Sequence, residues 1–115
     1  MTGFEEKAKA IAEEIKKRDN FAIIHHYDAD GICAGAIIAK ALQRLGKTFK
    51  TKSVKQLYKE TIEEIRDMGE NYVFVDFGSV LIDELKESFG NKFFVLDHHQ
   101  PKGADYEFHL NPMEF

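Results

Sequence analysis

With 115 residues, of which 43% are hydrophobic and 31% charged, the chain has room for one globular core and is too apolar to be disordered. Its formal net charge of −4 differs from the overall basic footprint of a dedicated nucleic-acid binder. Its longest apolar stretches are interrupted by His25, His26, Asp28, Asp30 and Lys40, short of the roughly 18 residues that span a bilayer, so no membrane association is expected.

Residues 3–18 predict an opening helix, because Phe4, Ala8, Ile11, Ala12 and Ile15 share one face and Thr2 can cap the start. The polar residues Glu5, Glu6 and Lys7 rule this segment out as a signal peptide, which makes a cytoplasmic protein the expectation. Asp19 and Asn20 end the helix, and the continuous apolar run Phe21-Ala22-Ile23-Ile24 predicts a strand buried on both faces. After Gly31 a second helical stripe, Ile32, Ala36, Ile37, Ala41 and Leu45, runs to the stop signal Gly46. The lone cysteine, Cys33, lies inside that run; it excludes an internal disulfide and is expected to be a small buried side chain.

Residues 48–54 alternate like an edge strand, and 56–68 carry Leu57, Tyr58, Ile62, Ile65 and Met68 as an amphipathic helix. Tyr72-Val73-Phe74-Val75 predicts a second buried strand, residues 80–89 a short helix with Leu81, Leu85 and Phe89 inward, and Phe93-Phe94-Val95-Leu96 a third buried strand. One more short strand is expected between 104 and 110, before Asn111-Pro112. Fully apolar strands alternating with amphipathic helices predict an α/β domain: an open, mostly parallel sheet with helices on both faces.

Charge is unevenly distributed. Lys40, Arg44, Lys47, Lys50, Lys52, Lys55 and Lys59 precede a run containing Glu60, Glu63, Glu64, Asp67 and Glu70. The simplest reading is two solvated faces of opposite sign. The alternative is a phosphate-tracking strip, in which Lys47, Lys50, Lys52 and Lys55 are the candidate nucleic-acid contacts.

Each of the three most apolar strands runs directly into a polar cluster: His25-His26-Tyr27-Asp28-Ala29-Asp30-Gly31, Asp76-Phe77-Gly78-Ser79 and Asp97-His98-His99-Gln100. In an open parallel sheet ligands bind beyond the carboxyl ends of the strands, so these clusters are expected to converge. Singly, each has a plain explanation: Asp28, Asp30 or Asp76 as a helix cap, His98-His99 as a polar loop. Jointly they point to metal, because Asp28, Asp30, Asp76 and Asp97 gathered with imidazoles repel one another unless cations neutralise them. Mixed carboxylate and imidazole donors favour Mn²⁺ or a similar ion, with Mg²⁺ or Co²⁺ as alternatives. The spacing His26-x-Asp28-x-Asp30 suits an extended loop with alternate side chains on one side, and Gly31 permits a tight start to the next helix.

These motifs carry a family resemblance. His26-Tyr27-Asp28-Ala29-Asp30-Gly31 resembles the first signature of the DHH phosphoesterases, Val75-Asp76-Phe77-Gly78 the second, and Asp97-His98-His99 is the triplet after which the family is named. Within the family, the first motif and Asn111-Pro112 are most similar to RecJ-like single-strand nucleases of the archaeal, GINS-associated type. The resemblance implies that His26 and Asp28 hold one metal ion, Asp30 and His98 a second, and that Asp76 bridges both. His99 would face the substrate phosphate, and Asp97 would serve catalysis by orienting a histidine. His25 is expected to be a strand-end residue outside the site.

Two features of the family are missing from residues 1–115: an aspartate from a fourth motif, for which Asp105 comes too early, and a C-terminal substrate-binding domain. The expectation is therefore the N-terminal portion of a DHH domain carrying motifs one to three. The implied activity is hydrolysis of phosphodiester bonds in single-stranded DNA or RNA by a metal-activated water, with roles in DNA repair and replication and GINS-type replication proteins as partners. Alternatives are a phosphoesterase acting on pyrophosphate, a cyclic dinucleotide or short oligonucleotides, and a non-catalytic replication scaffold. Self-association of an incomplete domain is also expected.

Overall fold

The computed structural model describes residues 2–102 and 105–115. Its elements in order are α1 (Thr2–Lys16), β1 (Phe21–His26), α2 (Ala29–Arg44), β2 (Phe49–Val54), α3 (Lys59–Ile65), β3 (Asn71–Val75), α4 (Ile82–Phe89), β4 (Phe93–Leu96), β5 (His109–Leu110) and a 3₁₀ turn, Pro112–Glu114. The cap expected from the Thr2 side chain and the strand start expected at residue 104 lie outside the described residues.

The strands form one five-stranded sheet of order β2-β1-β3-β4-β5, with every neighbouring pair parallel. Strands that are apolar throughout do so because both faces are covered. Alternation sends Ala22, Ile24, Tyr72, Phe74, Phe93 and Val95 into a core with α3 and α4. It sends Phe21, Ile23, Val73, Val75 and Phe94 into a second core with α1 and α2. Each of the larger of these side chains removes about 1.5–3 kcal/mol worth of apolar surface from water, which is what fixes the register. The strand expected at 48–54 is indeed an edge, β2, half exposed along its length.

Helix α2 corrects two expectations. Its inward face is Gly31, Gly35 and Leu42, flanked by Ala34, Ile38 and Ala39. The stripe read from periodicity points outward instead: Ile32 is 53% and Ile37 68% exposed. Cys33 is exposed as well, not buried. The physical reason is that α2 is apolar nearly all round, so period alone cannot choose a face, whereas small residues can. A Cβ on Gly31 would lie 2.2 Å from the His26 carbonyl oxygen, and one on Gly35 2.9 Å from the His25 ring. Only glycine lets the helix press this closely on the end of β1. A smaller correction concerns Tyr58, which is exposed ahead of α3, while Leu57, Ile62 and Ile65 are buried as expected.

Candidate metal centre

The switch point of the sheet lies between β1 and β3, where connections leave toward opposite faces and open a crevice at the carboxyl edge. The three polar clusters meet there. From β1, His26 Nδ1 lies 2.9 Å from Asp28 Oδ2. The other oxygen of Asp28 accepts the Gly31 N–H at 2.8 Å, so Asp28 caps α2 and faces the crevice at the same time. That backbone hydrogen bond, with the contribution of His26, holds its carboxyl below the usual range.

From β3, Asp76 turns the chain with φ 67°, a left-handed conformation uncommon outside glycine and adopted mainly by asparagine, aspartate and histidine among the rest. It caps no helix: α4 starts at Ile82 without a side-chain cap. Its nearly buried carboxylate instead meets His98 Nε2 at 2.8 Å. Backbone strain that aims a buried carboxylate into a crevice is characteristic of functional positions.

From β4, Asp97 is buried and receives donors on both oxygens. Oδ1 accepts from the His98 N–H at 2.8 Å and from His99 Nδ1 at 2.6 Å, and Oδ2 from the Ser79 N–H at 3.2 Å. Burial opposes its charge, but the hydrogen bonds from His99, Ser79 and His98 outweigh it and leave the carboxyl below the ordinary range. Asp97 thereby fixes the His99 ring and leaves Nε2 directed outward.

Beneath this loop runs a buried polar chain that sequence reasoning missed. Asn111 Nδ2 donates to the His99 carbonyl at 2.7 Å and to Ser79 Oγ at 2.9 Å. Ser79 Oγ lies 2.8 Å from His109 Nε2, and His109 Nδ1 3.3 Å from Glu114 Oε1. A single tautomer satisfies the chain, with His109 Nδ1–H toward Glu114 and Nε2 accepting from Ser79. The one hint in the sequence was Asn111 before Pro112; the pairing of β5 with β4, which brings His109 and Asn111 under the triplet, has no local signature.

The donor atoms fall into two groups, each within 4.8 Å: Asp76, Asp97, His98 and His99, and His26, Asp28 and Asp76. Asp76 belongs to both. Oxygen and imidazole donors converging from three strand ends fit divalent cations chemically. Asp30 joins neither group. The extended geometry expected for His26-x-Asp28-x-Asp30 ends at Ala29, where α2 begins, so Asp30 sits exposed in the first helical turn. His25 is a strand-end residue as expected, its Nδ1 3.0 Å from the His26 carbonyl oxygen.

The basic stretch is not one strip. Lys47 donates to the Lys16 carbonyl at 2.7 Å, at the opposite end of the sheet from the clusters. Lys50 and Lys52 lie along edge strand β2, whereas Lys55 follows the end of β2 and lines the crevice with His26, Asp28, Asp76 and His99.

Comparison with known proteins agrees with this architecture. The DHH family, N-terminal domain, matches residues 20–114, and the chain belongs to that family. It is 38% identical over 103 residues to the uncharacterized protein MJ0831 of Methanocaldococcus jannaschii, covering 84% of this chain and 23% of that protein. The crystal structure of an exonuclease RecJ bound to manganese superposes with a TM-score of 0.75 at 25% identity, over 96% of this chain and 31% of the other. RecJ of Thermus thermophilus in complex with Mn²⁺ gives 0.73 at 26%, over 97% and 17%. CDC45 of Entamoeba histolytica shares the fold, with a TM-score of 0.65 at 17% identity over 96% and 24%. The chain thus spans less than a third of the length of each of these proteins. Family and fold together define an N-terminal domain of the DHH family with the parallel α/β fold seen in the two RecJ structures.

Proposed function

We propose that the chain supplies the metal-binding half of a two-metal phosphoesterase site that hydrolyses phosphodiester bonds of single-stranded DNA or RNA. The observation that carries this reading is Asp76: one carboxylate, held in a strained conformation, belongs to both donor groups. The proposed assignment has His26, Asp28 and Asp76 holding one ion, and Asp76, His98 and Asp30 the other, although Asp30, exposed in the first turn of α2, stands outside both donor groups in the structure. The mixed donors favour Mn²⁺, the ion in both RecJ structures, over Mg²⁺ or Co²⁺. Divalent ions supply Lewis-acid charge for the phosphoryl group and a water acidic enough to act near neutral pH.

The residues of the chain do the rest. Asp97 accepts from His99 Nδ1 and fixes the ring, so the imidazolium form of His99 would direct its Nε2–H at a phosphoryl oxygen as negative charge builds there. Ser79 and Asn111 keep the triplet loop from turning away. No covalent protein intermediate is required. In the whole enzyme, a fourth carboxylate and a substrate-binding domain complete the site under this reading, and the exposed apolar face of α2 is where self-association is expected.

The test is Mn²⁺-dependent hydrolysis of labelled single-stranded DNA, single-stranded RNA, a dinucleotide and pyrophosphate, with Asp76→Asn as control. Cleavage of the phosphodiester substrates, lost in the variant, supports the reading. Cleavage of pyrophosphate alone overturns it in favour of a small-substrate phosphoesterase.

A further inference from the structure

The donor groups fill only one side of their crevice. The whole space measures about 470 Å³, and its remaining wall is apolar: Leu57 from the segment after β2, and Phe77, Val80 and Leu81 from the segment after β3, with Lys55 and Gln56 at the margin. Phe77 is the residue next to Asp76. Its ring centroid lies 6.0 Å from that of His26, and it packs edge-on against Phe74 at 6.4 Å. The core thus holds Phe77 from one side while the ring stays half-buried and lines the crevice.

An apolar wall beside a phosphate site is a liability for a purely inorganic substrate, because pyrophosphate would lose hydration there without gaining a partner. It is an asset for an organic group attached to the phosphorus. An aromatic ring held rigidly next to the reacting position offers a stacking surface to a flat ring. Lys55, following β2, offers a cation at the margin of the same space.

We infer that this bay is a nucleobase subsite: Phe77 stacks the base of the nucleotide next to the scissile phosphate, and Lys55 meets a neighbouring phosphate. The inference rests on the phosphodiesterase reading and deepens it, since it names the side chains that would hold the substrate's base and its neighbouring phosphate. A paired base brings its complementary strand with it, for which a bay of about 470 Å³ has no room.

Two measurements test the subsite, both with the full chain and its Phe77→Ala and Phe77→Trp variants. The first compares kcat/KM for a thymidine dinucleotide and for the same dinucleotide with abasic residues, in Mn²⁺. The intact chain should prefer the base-bearing substrate about tenfold, within the range that removal of a base-stacking aromatic ordinarily costs; the preference should collapse toward one in Phe77→Ala and persist in Phe77→Trp. The second needs no turnover: binding of a dinucleotide carrying 2-aminopurine, in Ca²⁺, should quench its fluorescence with the intact chain and Phe77→Trp but not with Phe77→Ala. Quenching lost in Phe77→Ala, with pyrophosphate cleaved but no phosphodiester, upholds the subsite and sinks the nuclease reading. Cleavage at equal rates with and without a base, and no quenching, overturns the subsite and leaves the nuclease reading standing.

Discussion

Asn111 Nδ2 reaches the main-chain carbonyl of His99 at 2.7 Å, so the segment after the last strand holds the loop that carries the Asp97-His98-His99 triplet. The same amide supports Ser79, whose N–H in turn holds Asp97. Asn111→Ala removes both restraints. Mn²⁺ affinity should fall about 10-fold or more, the usual effect of losing an outer partner of a metal site, while the far-UV spectrum is retained. Calorimetric titration checks it, and unchanged affinity would remove Asn111 from the site.

Asp76 combines strain with charge. Asp76→Gly relieves the left-handed backbone at φ 67° and removes the repulsive carboxylate, so the metal-free protein should be as stable as the original or more so. The gain in melting temperature that Mn²⁺ gives the original chain should vanish. Thermal melts with and without Mn²⁺ separate the two effects.

Gly31 is the close contact between α2 and β1. Gly31→Ala puts a methyl 2.2 Å from a backbone oxygen that cannot move without shifting His26. Denaturant unfolding should show a loss of about 2–3 kcal/mol. By contrast, Ile37→Lys on the exposed face of the same helix should cost less than about 0.5 kcal/mol.

His109 is buried, and burial depresses its pKa despite the opposing pull of Glu114. A histidine held neutral in the folded state takes its proton first in the unfolded chain. Its contribution to stability is therefore fully present above the unfolded value of about 6.5 and is lost as pH falls from there toward the folded pKa. In metal-free buffer, stability of the original chain should drop more steeply below about pH 6.5 than that of His109→Gln. Parallel curves would contradict the assignment.

The lysines should separate in salt titrations of single-stranded oligonucleotide binding. Lys55→Gln should reduce the slope of log K against log salt by about 0.7, the value of one phosphate contact on a single strand. Lys47→Gln should leave the slope alone, because that ammonium is occupied by the Lys16 carbonyl.

Much of this was legible in the sequence. Runs such as Phe93-Phe94-Val95-Leu96 admit few homes other than a strand covered on both faces, and polar residues at once after such strands must gather at one edge of a parallel sheet. Hence His26, Asp28, Asp76, Asp97, His98 and His99 could be placed together in advance. The face of α2 was not legible, because hydrophobic periodicity is silent in a helix with apolar residues all round, and Gly31 and Gly35, which make the contact, add nothing to such a pattern. Nor could the buried chain through Ser79, His109 and Asn111 be read. It depends on which strand lies beside β4, and no local pattern encodes that.

Under the proposed function Asp76 serves two metal sites at once. Titrating metal-free chain with Mn²⁺, followed by electron paramagnetic resonance and calorimetry, tests it most directly. Two ions per chain with mutually coupled spectra are expected, and both should be lost in Asp76→Asn. A single ion, or two that survive the substitution, would contradict it.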